Sequence, residues 1–130
     1  MKYDISIDHE NKVILCVAEG ELTVAAAALM VKDVRKQAFE LGYNTIYDVK
    51  NIFLKVGIID AHLFPRDIDK IYEDPRHRSG KAAILCIPEK DEAFWKFLED
   101  TSRNAGANVK VVCSKEEAEN WLSMANSPDR

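Results

Sequence analysis

Three cysteines and three histidines are the residues of this 130-residue chain best suited to nucleophilic or metal chemistry. A thiol nucleophile needs a base within hydrogen-bond reach. Cys16, Cys86 and Cys113 each stand in an apolar, strand-like run with no histidine beside them in sequence, where a free cysteine behaves as a small hydrophobe. His9 falls in a polar turn, His62 in a short helix-like stretch and His77 in a basic loop. No HxH, HExxH or CxxC spacing joins any of them, so neither a metal site nor a cofactor is expected. The odd number and wide spacing of the cysteines speak against a disulfide framework and for a reducing, cytoplasmic setting.

The acid that stands out is Asp48. It follows the buried-strand residues Thr45, Ile46 and Tyr47, and ligands of α/β sheets gather past the carboxyl ends of strands. Two roles are open to it: a carboxylate that faces a ligand, or an Asx-type acceptor for the loop amides near Lys50 and Asn51. Phe53, Lys55, Gly57 and Phe64 follow and form, with Asp48, Lys50 and Asn51, the expected ligand or partner surface. A second candidate is the basic stretch PRHRSGK, where Arg76, Arg78 and Lys81 could contact an anion. Its single glycine matches no P-loop, and a solvated loop is the simpler reading. A phosphoreceiver arrangement, with Asp48 and Lys115 as its acid and lysine, fits poorly. It would need a parallel first strand ending in paired acids and a hydroxyl after the fourth, where Pro88 and Glu89 stand.

The elements that must position these residues can be read from periodicity. Tyr3, Ile5 and Ile7 alternate with polar residues as in a half-buried strand. After the turn His9–Lys12, VILCVAEGEL continues as a second strand, and so short a connection favours an antiparallel hairpin. Thr23 can cap a helix that ends at Gly42 and carries Ala27, Val31, Val34, Ala38 and Leu41 on its inner face. YNTIYDV is the third strand. The stretch from Gly57 to Asp74 reads as helical but is divided by Pro65, which suits the first turn of a new helix. KAAILCI is a strand covered on both faces. Asp91 can cap a helix over about 92–105, with Phe94, Phe97, Leu98 and Thr101 inward and Trp95 off that stripe. NVKVVCS is the fifth strand. Ser114 with Glu117 forms a capping-box pattern for a last helix packed through Ala118, Trp121 and Leu122.

The order ββαβαβαβα describes an α/β fold: a single five-stranded mixed sheet, antiparallel at its N-terminal hairpin and mostly parallel thereafter, flanked by four to five helices. Residues 1–124 make one domain, and 125–130 a flexible tail. Net charge is −4, which opposes loose binding to nucleic acid or anionic membranes. The longest apolar run, Val24–Val31, is too short for a transmembrane segment, and the N-terminus lacks the apolar core of a secretory signal.

With Gly20, Leu22 and Thr23 before the first helix, Asp48 ending the third strand and Glu116, Glu117, Ala118, Trp121 and Leu122 closing the chain, the sequence resembles the SpoIIAA-like group that includes STAS domains, in particular its small stand-alone bacterial members. The likeness spans nearly the whole chain, to about Met124. In phosphorylated members a DSSG-like motif starts the helix after the third strand, and its hydroxyl receives the phosphate. Here that stretch is Leu54–Gly57; Gly57 is kept, but no serine or threonine lies between Thr45 and Ser79. The resemblance therefore implies a non-catalytic regulatory or protein-interaction module without the phosphorylatable residue. The alternative is a binder of a small apolar, lipid-like ligand beside the helix after the third strand, suggested by the apolar series Ile52, Phe53, Leu54, Val56, Ile58, Ile59, Leu63 and Phe64. An exposed hairpin edge needs cover, which makes a homodimer a further expectation.

Overall fold

A computed structural model describes residues 1–54, 80–87, 89–104 and 108–124. Its elements are β1 (Lys2–Asp8), β2 (Val13–Leu22), α1 (Val24–Leu41), β3 (Asn44–Leu54), β4 (Lys81–Leu85), α2 (Glu92–Asn104), β5 (Asn108–Val112) and α3 (Lys115–Ser123). They form one five-stranded sheet in the order β1-β2-β3-β4-β5. β1 and β2 pair antiparallel, and every later neighbour pair is parallel. The mixed sheet and its hairpin agree with the sequence reading. Three helices stand among the described residues. The further helices expected between Gly57 and Asp74, and the tail 125–130, lie outside them.

Because the chain steps across the sheet in one direction, crossovers of a single hand must put their helices on one face. The two cores show this. Ile14, Cys16 and Ala18 of β2, Tyr47, Val49 and Ile52 of β3, and Ala82 and Ile84 of β4 pack with Ala27, Met30, Val34 and Ala38 of α1 and Trp95 and Leu98 of α2. On the opposite face Ile46, Ala83, Leu85 and Val112 pack with Ala118, Trp121 and Leu122 of α3. β4 is apolar at both parities because both of its faces are covered.

Local chemistry fixes the helix ends. The Thr23 hydroxyl accepts the Ala26 N–H at 3.2 Å. Gly42 takes φ +71°, and its N–H closes α1 on the Ala38 carbonyl at 2.8 Å. Ser114 caps α3 by accepting the Glu117 N–H at 3.1 Å, while the Glu117 carboxylate accepts the Cys113 N–H at 3.2 Å, one residue before the usual capping-box partner. In α1 the buried stripe is Ala27, Met30, Val34 and Ala38; Met30 replaces the expected Val31 at its centre, and Leu41 stands exposed past its end.

Two expectations need correction. Trp95, read as lying off the inner stripe of its helix, is 5% exposed and belongs to the core, with Phe94 edge-on to it at 5.0 Å. The inner face of α2 is Trp95, Leu98 and Ser102, one residue round from the expected stripe. β3 does not end near Val49 but runs to Leu54. Its alternation is interrupted because Val17 pairs with Asp48 and Glu19 with Asn51, so Val49 and Lys50 together oppose Ala18. This bulge shifts the parity and returns Ile52 to the α1 face, where Leu54 also packs.

Among the described residues the wholly buried Thr45 side chain has no hydrogen-bond partner for its hydroxyl. An unsatisfied buried hydroxyl is costly, and valine has nearly the same shape. Thr45→Val is expected to stabilise the fold by about 1 kcal/mol, read as a higher urea midpoint at unchanged slope.

Candidate functional site

The bulge in β3 decides what Asp48 does. Its Oδ1 accepts the Lys50 N–H at 3.2 Å, and the Lys50 ammonium lies 3.7 Å from Oδ2. This is the Asx-type role, placed within a strand and not at its end. Asp48 is also the last β3 residue to pair with β4, opposite Leu85. Beyond it Val49–Leu54 continues beside β2, with no further pairing to β4.

This projecting stretch has two unlike faces. Ile52 and Leu54 are held against α1, together with Leu22 of β2. Phe53 points the other way and is 64% exposed. Lys90, just after β4, arches over it: its Nζ lies 5.3 Å from the Phe53 ring centre and donates to the Lys50 carbonyl at 3.1 Å. Glu19 pairs with Asn51, and Gly20 with Ile52. Gly20 adopts φ +97°, and a Cβ there would lie 3.5 Å from the Met1 backbone. Met1, Lys2, Glu19, Gly20, Asn51, Phe53 and Lys90 thereby line an open groove of about 600 Å³.

The structure thus brings Asp48, Lys50, Asn51 and Phe53 together on one crest and adds Lys90, Glu19 and the N-terminus, which sequence reasoning did not single out. Lys90 could have been found only through the turn that carries it back over β3. Lys55, Gly57, Phe64, Arg76 and Arg78 lie outside the described residues. So does the Pro65 segment expected to flank an apolar pocket. The groove mixes the polar side chains of Lys2, Glu19, Asn51 and Lys90 with the apolar Met1 and Phe53.

Lys81, expected as an anion contact, has a different position. It is 3% exposed at the start of β4. Its Nζ donates to the Trp121 carbonyl at 3.1 Å and to the Met124 carbonyl, and lies 5.3 Å from the Trp121 ring centre. Its own N–H donates to Asn44 Oδ1 at 2.9 Å, while Asn44 Nδ2 donates to the Leu122 carbonyl at 3.4 Å. Two side chains from the amino ends of β3 and β4 thus bond carbonyls at the C-terminus of α3, where the Trp121 carbonyl also accepts the Met124 N–H at 3.2 Å. A lysine at the end of a helix also complements its dipole.

Among the described residues no three His, Cys, Asp or Glu side chains converge as metal ligands, and no helix is long and apolar enough to cross a membrane. β1 forms one edge of the sheet. Its exposed positions include Lys2, Asp4 and Asp8, charges of the kind that discourage edge-to-edge pairing.

No family model matches this sequence, and no curated protein matches it. Among solved structures, the chain is similar to the Bacillus cell fate determinant SpoIIAA in the phosphorylated form. The two are 12% identical, and the alignment covers 93% of this chain and 99% of that one with a TM-score of 0.48.

Proposed function

We propose that this chain is a non-catalytic regulatory module that binds another protein through the crest of β3, with Phe53 as the anchor. The observation that carries this reading is the 64% exposure of Phe53 on a strand whose opposite face is buried. An aromatic ring held out by a rigid strand costs little conformational entropy on binding, and such rings are enriched among residues that dominate interface energies. The Asp48–Lys50 bulge and the Lys90 contacts fix the ring's surroundings before any partner arrives. Asp48, Lys50, Asn51, Lys90 and Glu19 supply a charged and polar rim. The crest residues include no cysteine, histidine, serine or threonine, and the one carboxylate of β3 is engaged with its own strand. That is the chemistry of recognition without turnover, and it accords with the resemblance drawn from sequence.

The test is a photo-crosslinking side chain placed at position 53 in the full chain, in native extract, with position 7 on β1 as control. A discrete protein adduct at position 53 and none at position 7 is expected. Phe53→Ala should then weaken binding of the purified partner about 30-fold while leaving the unfolding midpoint unchanged. Equal binding by Phe53→Ala and Lys90→Ala would exclude this surface. If the adduct is a second copy of the chain, sedimentation velocity should show a concentration-dependent dimer that Phe53→Ala disperses.

A further inference from the structure

We propose that Cys86 and Cys113 are a reversible dithiol–disulfide pair joining the carboxyl ends of β4 and β5. The register carries the argument. Leu85 pairs with Val112, and the Cys86 N–H donates to the Val112 carbonyl at 3.1 Å. In a parallel ladder that bond sets Cys86 opposite Cys113, one step beyond the last pair. Strand alternation puts both on one face: Ala82, Ile84 and Cys86 belong to the α1/α2 core, as do Val109 and Val111, four and two residues before Cys113. Adjacent strands lie about 4.8 Å apart, inside the Cα separation that a disulfide accepts.

The two thiols differ in access. Cys113 is exposed, whereas Cys86 is 1% exposed beneath the first turns of α2. Burial pushes the Cys86 thiol up, and the neighbouring Cys113 pushes it further; Glu92 adds to this and Lys96 opposes it. Cys113 is therefore the group that meets an oxidant, and Cys86 resolves the product. With a small linear disulfide as co-reactant, the Cys113 thiolate attacks one sulfur, its S–S bond breaks, and one small thiolate leaves and takes a proton from water. Cys86 then loses its proton to solvent and attacks Cys113 Sγ, and the second small thiolate leaves. Overall the two cysteines lose two electrons and two protons, and the small disulfide becomes two thiols. Cys16 takes no part: it is wholly buried under α1, and burial with the charges of Asp33 and Asp4 pushes its thiol up to about 12.

The experiment treats the folded, full-length chain with hydroxyethyl disulfide, then alkylates it and maps the peptides by mass spectrometry. Wild type and Cys16→Ala are expected to lose two hydrogens and yield a Cys86–Cys113 linked peptide that a small thiol reopens. Cys113→Ala should stay reduced. Cys86→Ala should hold a mixed disulfide at Cys113 that outlasts the wild-type one about tenfold, since the adjacent resolving thiol is gone. A long-lived mixed disulfide at Cys113 in wild type, or links distributed equally to Cys16, would overturn the pairing. The wild-type map decides the matter even if Cys86→Ala proves unstable.

Discussion

Replacing Lys81 by methionine is expected to lower the unfolding free energy by about 3 kcal/mol. Methionine keeps the aliphatic stem but removes the ammonium that donates to the Trp121 and Met124 carbonyls. Both acceptors lie where α3 ends: the Trp121 carbonyl keeps the Met124 N–H at 3.2 Å but loses its charged donor, and the Met124 carbonyl loses the lysine bond. The contact of the ammonium with the Trp121 ring is lost with them. The loss should be local before it is global. α3 covers one face of the sheet through Ala118, Trp121 and Leu122, and its C-terminus is tied down by Lys81 and Asn44. Urea titration followed by tryptophan emission in a Trp95→Phe background, where Trp121 is the sole reporter, should show an early red shift in the Lys81→Met protein. Circular dichroism should follow at higher urea. An unchanged midpoint, with a single coincident transition, would show that the lysine contributes nothing net.

Trp95→Ala is expected to cost more, about 3–5 kcal/mol. The indole is the largest side chain that α2 contributes to the core and packs within the cluster that holds Ile84, Cys86 and Val111. Its removal leaves a void that the Phe94 ring, edge-on at 5.0 Å, fills only in part. Equilibrium urea unfolding checks the value; a loss below about 1 kcal/mol would mean that the helix repacks freely over the sheet. The two effects should be nearly additive, because Lys81 belongs to the α3 side of the sheet and Trp95 to the α1/α2 side.

The parts of the fold legible in sequence were those fixed by local chemistry. Thr23, Gly42 and Ser114 mark helix ends by the bonds their side chains and backbones make, and those bonds are in place. The hairpin followed from the alternation of Tyr3, Ile5 and Ile7 and a short polar turn. Strand order was not legible, since periodicity does not choose neighbours. β3 appeared too short because a bulge shifts the side-chain parity, so that Tyr47 and Val49 share a face with Ile52 and not with Asn51. Trp95 was misplaced because α2 presents a face rotated by one residue from the most regular aromatic spacing. Lys81 read as part of a basic loop, and its partners are distant carbonyls that no sequence pattern marks. At the crest, Asp48, Lys50, Asn51 and Phe53 were legible through their place after a buried run. Glu19 and Lys90 join them only through tertiary pairing.

The strand order repeats the order of the chain. As the polypeptide leaves the ribosome, each emerging strand therefore finds its neighbour already made, and the sheet can be laid down one strand at a time from the amino terminus. No segment has to wait for a later one to be inserted between two earlier strands. Such vectorial growth keeps loop closures short and favours rapid cotranslational assembly. It also leaves α3, which follows β5, to seal the second face only after all five strands are laid down.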